Sequence, residues 1–234
     1  MAPPFKKIEI GRQIIQQAAQ VSLATEFLYS FTIIVISLMI YFGTREFYNL
    51  TSHRGIKYFR SAFLFFAIAF FFRSFIKFLV ILFDVQRILD LSLQTIGSIS
   101  LFLFMYASAM AIFYLLFSVM WKKWSSEKIL LFHLLAAIIA LITIIIKNVN
   151  VILIMHFVLF IFIAVVTWIS YQESKKIRKG SHLHGIYILL FAFWILNIID
   201  LLTTNALSTF HLLIYIASFS VFATILYKVL RKVG

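Results

Sequence analysis

Seven stretches of this chain are long and apolar enough to cross a bilayer, and only short polar segments separate them. They are Leu23–Phe42, Tyr58–Phe83, Leu91–Trp121, Ile129–Ile146, Val151–Tyr171, Ile186–Leu202 and Leu207–Leu230. A spanning helix needs about 20 mostly apolar residues. In hydrocarbon no water satisfies the backbone, so each stretch must bond internally as a helix. The expected fold is an all-α polytopic membrane bundle of seven helices. The fourth and fifth stretches are divided only by Lys147-Asn148-Val149-Asn150. Two asparagines and a lysine suit a tight turn there, and one helix through both would be too long for a single crossing. Composition agrees: 63% of residues are hydrophobic and 12% charged, against about 25% charged in soluble domains. The absence of cysteine excludes disulfides, cysteine-bound zinc, iron–sulfur clusters and thiol nucleophiles.

The formal net charge is +13. In a soluble chain that excess would suggest nucleic acid; here it sorts by side. Fourteen of the 21 Lys and Arg residues fall in alternate loops and the C-terminal segment: Arg45, Arg54, Lys57, Arg60, then Lys122, Lys123, Lys128, then Lys175, Lys176, Arg178, Lys179, then Lys228, Arg231, Lys232. The other side carries five: Lys6, Lys7, Arg12, Arg87 and Lys147. The positive-inside rule puts the richer side in the cytoplasm. The expectation is a multi-pass protein of the cell membrane with its N-terminus outside, its C-terminus inside and no nucleic-acid partner. The basic surface Lys175, Lys176, Arg178 and Lys179 would attract anionic lipid head groups, at about 1 kcal/mol per charge. The alternative is docking of a membrane or cytoplasmic protein partner.

Residues 1–22 read as a separate unit from the bundle of residues 23–234. They have no apolar core of a cleavable signal. On a helical wheel Ile8, Ile10, Ile14, Ile15, Ala18 and Ala19 fall on one half, and Glu9, Arg12 and four glutamines on the other. This pattern predicts an amphipathic interfacial helix, acting as an anchor or as a lid over the outer end. Both prolines lie in the first four residues, and of the seven glycines only Gly97 falls well inside a span. The spans should therefore be continuous, unlike the broken helices that form many transporter sites. Close helix contacts must come from small residues such as Ala107 and Ala111 in the third span, which is expected to be central. Phe-rich faces, such as Phe70, Phe71, Phe72 and Phe78, would pack between helices or face lipid.

An ionisable group inside a span costs about 2.5–3.5 kcal/mol at mid-depth on insertion scales, so it should face a cavity or a partner. Arg73 and Lys77 lie one turn apart in the second span. Candidate partners at that depth are Glu26 on the first span, Gln94 on the third, Asn197 and Asp200 on the sixth, and His211 and Tyr215 on the seventh. These polar positions converge on the outer half. Together they form a candidate ligand site in which Arg73 and Lys77 meet a small polar or anionic ligand, and Glu26 and Asp200 balance the charge when it is empty. The bland alternative is an ion-pair network that holds the helices in register. His133 is the main ionisable residue of the inner half.

No metalloprotease His-Glu-x-x-His, no Gly-x-Ser-x-Gly, no P-loop and no paired carboxylates occur. The expectation is a non-enzyme with no cofactor. His182-x-His184 is too sparse for zinc, so no metal site is expected. In layout alone the chain is similar to rhodopsin-like seven-helix proteins. That resemblance implies the same orientation, but the chain lacks the mid-span lysine of the seventh helix that would carry retinal; Lys228 sits at the cytoplasmic end. The leading function is a receptor-like or sensory membrane protein. A small solute or ion transporter or channel comes second, and a structural subunit of a membrane complex third.

Overall fold

The computed structural model describes the backbone of residues 4–83, 93–125, 127–146, 148–176, 182–203 and 208–233. It describes the side chains of residues 24–75, 95–125, 127–146, 148, 150–175, 184–203 and 210–231. The regular structure there is all helical: α1 Pro4–Gly43, α2 Arg45–Thr51, α3 Arg54–Phe83, α4 Leu93–Met120, α5 Lys128–Ile146, α6 Val149–Lys176, α7 His182–Leu202 and α8 Ser208–Val233. Among the described residues seven helices are long and apolar enough to cross a membrane. The chain is a helical, multi-pass membrane protein.

The ends of these helices have local causes. Asn148 begins α6 as an N-cap: its side-chain oxygen accepts the Asn150 N–H at 2.8 Å, and its carbonyl accepts from Val151 and Ile152. That satisfies a donor the first turn would otherwise leave unpaired, and it separates α6 from α5 where the sequence predicts a turn. α1 is helical without a break from Pro4 to Gly43. The N-terminal segment and the first span therefore share one backbone helix. The amphipathic pattern expected for residues 5–21 concerns side chains outside those described, as does Phe78.

The segment after the first span departs from expectation. It reads as a loop in the sequence, yet it forms the short helix α2. Thr44 supports it by donating its hydroxyl to the Ile40 carbonyl at 2.7 Å. α2 ends at Ser52, which adopts left-handed backbone angles (φ 48°, ψ 25°) and returns its N–H to the Tyr48 carbonyl. That conformation costs an L-residue with a Cβ about 1–2 kcal/mol. Ser52→Gly should raise the stability of the detergent-solubilised protein by about 1 kcal/mol. A melt at or below the wild-type temperature would count against the assignment.

Packing follows the small residues. α4 lies against α3, α5 and α6 and is the most deeply buried span, as expected of the third span. Ala62 and Ala69 of α3, Ala107, Ala109 and Ala111 of α4, and Ala136 and Ala140 of α5 are all fully or almost fully buried. With no hydrophobic drive between helices in lipid, such residues let backbones approach until van der Waals contact holds them. Six helices close a ring in the order α1, α3, α4, α6, α7, α8, and α5 packs outside it against α4 and α6. Exposed Leu130, Leu134, Ile138, Leu141 and Ile145 make one apolar face of α5, suited to lipid. At one end α3 and α4 meet closely at Gly55. A Cβ there would lie 2.9 Å from the side chains of His53 and Trp121 and 3.0 Å from the Ser118 carbonyl.

His133 belongs to the seam outside the ring. Tyr106 meets its Nδ1 at 2.6 Å and Tyr114 its Nε2 at 3.4 Å, both from α4. It fastens α5 to α4 and does not line the ring interior.

Candidate functional site

Arg73 projects from α3 into the ring and is met by groups from two other helices. Its Nη2 donates to Oδ2 of Asp200 at 2.6 Å and its Nη1 to Oδ1 of Asn197 at 3.2 Å. Its Nε lies 3.7 Å from Oε1 of Glu26 on α1. The spacing on α7 explains the geometry. Residues three apart share a helix face, so Asn197 and Asp200 present their acceptors together to one planar guanidinium. The Asn197 amide is set by its own helix: Nδ2 donates to the Phe193 carbonyl at 2.9 Å, leaving Oδ1 for Arg73.

Asp200 also reaches α8. Its Oδ1 lies 2.9 Å from His211 Nδ1, and since a carboxylate only accepts, the imidazole nitrogen donates. Asp200 is thus shared between Arg73 and His211, with 9% of its side chain exposed, against 20% for Arg73 and 15% for Glu26. Tyr215, one turn beyond His211, stacks on Tyr29 of α1 with ring centroids 4.4 Å apart. Phe70 lies under the guanidinium at 5.7 Å.

These groups surround a cavity of about 570 Å³. Glu26, Arg73, Asn197, Asp200, His211 and Tyr215 all line it. Six of the eight candidates named from the sequence are therefore brought together. The other two, Lys77 on α3 and Gln94 on α4, have side chains outside those described. Of the basic surface, Lys175 lies 4.5 Å over the Tyr171 ring. The side chain of Lys176, and Arg178 and Lys179 altogether, fall outside the described residues.

Sequence reasoning missed the α4 wall. Gly97, Ser100, Leu101 and Phe104 line the cavity, and their spacing is that of one helix face. A wheel centred on Gly97, the one glycine well inside a span, would have found it. Ser100 is occupied: its hydroxyl donates to the Phe72 carbonyl at 2.5 Å. His156 of α6 completes the wall. Its Nδ1 bonds the Ile152 carbonyl at 2.8 Å, and its own carbonyl accepts the Trp194 indole N–H at 3.3 Å.

From Phe70, under the guanidinium, a layer of packed rings continues. Phe193 stands 4.4 Å from Phe222 and 5.8 Å from Phe70, and Phe66 stands 6.2–6.3 Å from Phe193 and Phe222, measured between centroids. All four are 4% exposed or less. Among the described residues no group of three His, Asp or Glu side chains is placed to hold a metal ion.

No protein-family model matches the chain, and no solved structure matches it. An uncharacterized protein of Archaeoglobus fulgidus is 31% identical over 219 residues, covering 90% of this chain and 93% of that protein. The chain belongs to that protein's family. The shared unit is nearly the whole chain of each.

Proposed function

We propose that this is a receptor-like membrane protein that binds a small polar or anionic ligand in the Arg73 cavity. The observation that carries this is one guanidinium held by acceptors from α1 and α7 on the wall of a cavity. A cation committed to three acceptors inside a membrane helix bundle is costly, and a ligand that competes for it changes which helices are joined. An anionic group taking Arg73 would release Asp200 to His211 and loosen α7 from α3. The same α7 carries Tyr187 near its other end, bonded to Ser118 of α4 at 2.6 Å. α7 is the rigid element through which the cavity would communicate with the opposite end.

Orientation belongs to the same proposal. The Arg73 cavity gathers residues near one end of the spans, and the basic end gathers Thr44, His53, Lys122, Lys123 and Lys228 around another cavity. By the positive-inside rule the basic end faces the cytoplasm and the Arg73 cavity opens outward, at the cell surface. The basic end would lie against anionic lipid heads and pass the signal to a separate membrane or cytoplasmic protein. Binding, with no catalytic step and no cofactor, is the proposed role.

The test is a thermal denaturation screen of the purified protein against amino acids, amines, carboxylates and phosphorylated solutes. At least one compound should raise the melting temperature of the wild type and leave Asn197→Ala unmoved. A panel in which no compound separates the two proteins would overturn the proposal. Transport is the second function, favoured by the presence of cavities at both ends of the ring. Proteoliposomes decide between them: a compound that stabilises the protein and also accumulates inside vesicles is a substrate, and one that binds without crossing is a signal.

A further inference from the structure

The cavity at the basic end has a volume of about 450 Å³ and a chemistry unlike that of the Arg73 site. Its depth is apolar, with Phe59, Ile186 and Val229 buried in the wall. Its mouth is cationic. Lys122 and Lys123 follow α4, and Lys228 reaches in from α8. Gly185 of α7 makes room for that reach: a Cβ there would lie 3.1 Å from the Lys228 ammonium nitrogen. Glu173 is the acid on this wall. Among the described residues none of the three lysines has a carboxylate within salt-bridge distance. The start of α3 also lines the cavity, at Gly55 and Ile56, with the Ile56 N–H already donated to the His53 carbonyl at 3.0 Å. Ser170, 6% exposed, adds a hydroxyl.

We propose that this cavity binds a phosphate group, carried either by an anionic phospholipid or by a small phosphorylated solute. Three lysines on one cavity, Lys122 among them with its ammonium 5.5 Å over the Trp121 ring of the same wall, exceed what a single carboxylate needs and suit a multiply charged oxyanion. Lysine binds phosphate as a point charge from a flexible stem, and here the three stems come from two helix ends and need no planar fork. The apolar depth gives an acyl chain or another apolar moiety a place beside the phosphate. The site is independent of the Arg73 cavity, so failure of one assignment leaves the other standing.

Native mass spectrometry of the full chain in detergent tests this, with phosphatidylglycerol, phosphatidylcholine and inorganic pyrophosphate as probes. Phosphatidylglycerol should be retained over phosphatidylcholine. Retention should fall about fivefold for each lysine removed in Lys228→Gln and in Lys122→Gln with Lys123→Gln, the effect of about 1 kcal/mol per charge. Lys228→Arg should retain it. Lys128→Gln, at a lysine of the same end that does not line the cavity, should change nothing. Monodispersity by size-exclusion chromatography checks that each variant folds. If pyrophosphate binds and displaces the lipid, the natural ligand is a soluble phosphate compound; if it does not, the ligand is the lipid. Equal retention of both lipids with no pyrophosphate bound overturns the proposal. So does an equal loss in Lys128→Gln, which would mark diffuse surface attraction, or binding of an acidic peptide in place of either phosphate probe.

Discussion

Arg73→Leu should destabilise the bundle by about 3–5 kcal/mol, and adding Asp200→Asn should return much of that loss without returning ligand binding. The substitution leaves Asp200, 9% exposed, with His211 as its remaining described ionic partner and leaves Glu26 without the guanidinium. Breaking a buried pair costs more than the pair contributes, because a charge stays behind in a poor solvent. Water reaching the 20% exposed Arg73 side chain places the cost toward the lower figure. Neutralising Asp200 removes the orphaned charge, so the double variant should melt closer to the wild type. A purely structural ion pair would be dispensable once both partners are gone. A ligand site would not be, because the guanidinium that meets the ligand is missing. Denaturation in detergent and the ligand screen, run on both single variants and the double, separate the two roles. A double variant that still binds would assign Arg73 to structure.

Phe193→Ala should cost about 3 kcal/mol or more and should make proteoliposomes leak small ions. Phe193 is 1% exposed and packs against Phe66, Phe70 and Phe222 at the centre of the ring. In lipid the transfer gain of burying a ring is small, since the tails are also apolar. What is lost is dispersion contact around a hole that neighbours cannot fill. Along α7 the hole lies between Tyr187, which lines one cavity, and Asn197, which lines the other. Sodium flux into vesicles bearing the variant should exceed wild-type flux, which should match that of empty vesicles. Equal fluxes and an unchanged melt would show that the aromatic layer is not the barrier.

The spans were legible because their signal is one-dimensional. Length and hydropathy placed them, and Asn148 marked the one division that hydropathy blurred. The Arg73 cluster was legible for a different reason: charges inside hydrocarbon must find each other, and depth alone brings Arg73 to Asn197 and Asp200, and Asp200 to His211. The ring order was not legible. Interior and lipid-facing sides of a membrane helix are both apolar, so α5 carries no mark of lying outside the ring. Phe66 and Phe71 are five residues apart on α3, yet one is 2% and the other 47% exposed. With 28 phenylalanines in the chain, composition could not tell barrier from lipid face. His133 was legible as an ionisable residue of the inner half, but not as one that points along the α4–α5 seam. The second cavity was hidden because Lys228 reads as a topology charge until the ends of several helices surround it.

The chain has no cysteine, so single cysteines report side and access without prior engineering. Leu201→Cys places a thiol on the wall of the Arg73 cavity, and Thr51→Cys places one on the cavity at the basic end. The decisive measurement is labelling of each by a membrane-impermeant maleimide, in intact cells and in inverted vesicles. Leu201→Cys should react in intact cells and be protected by a compound found in the thermal screen, whereas Thr51→Cys should react only in inverted vesicles. Reaction of Leu201→Cys in inverted vesicles, or of Thr51→Cys in intact cells, would contradict an outward-facing ligand cavity closed from within.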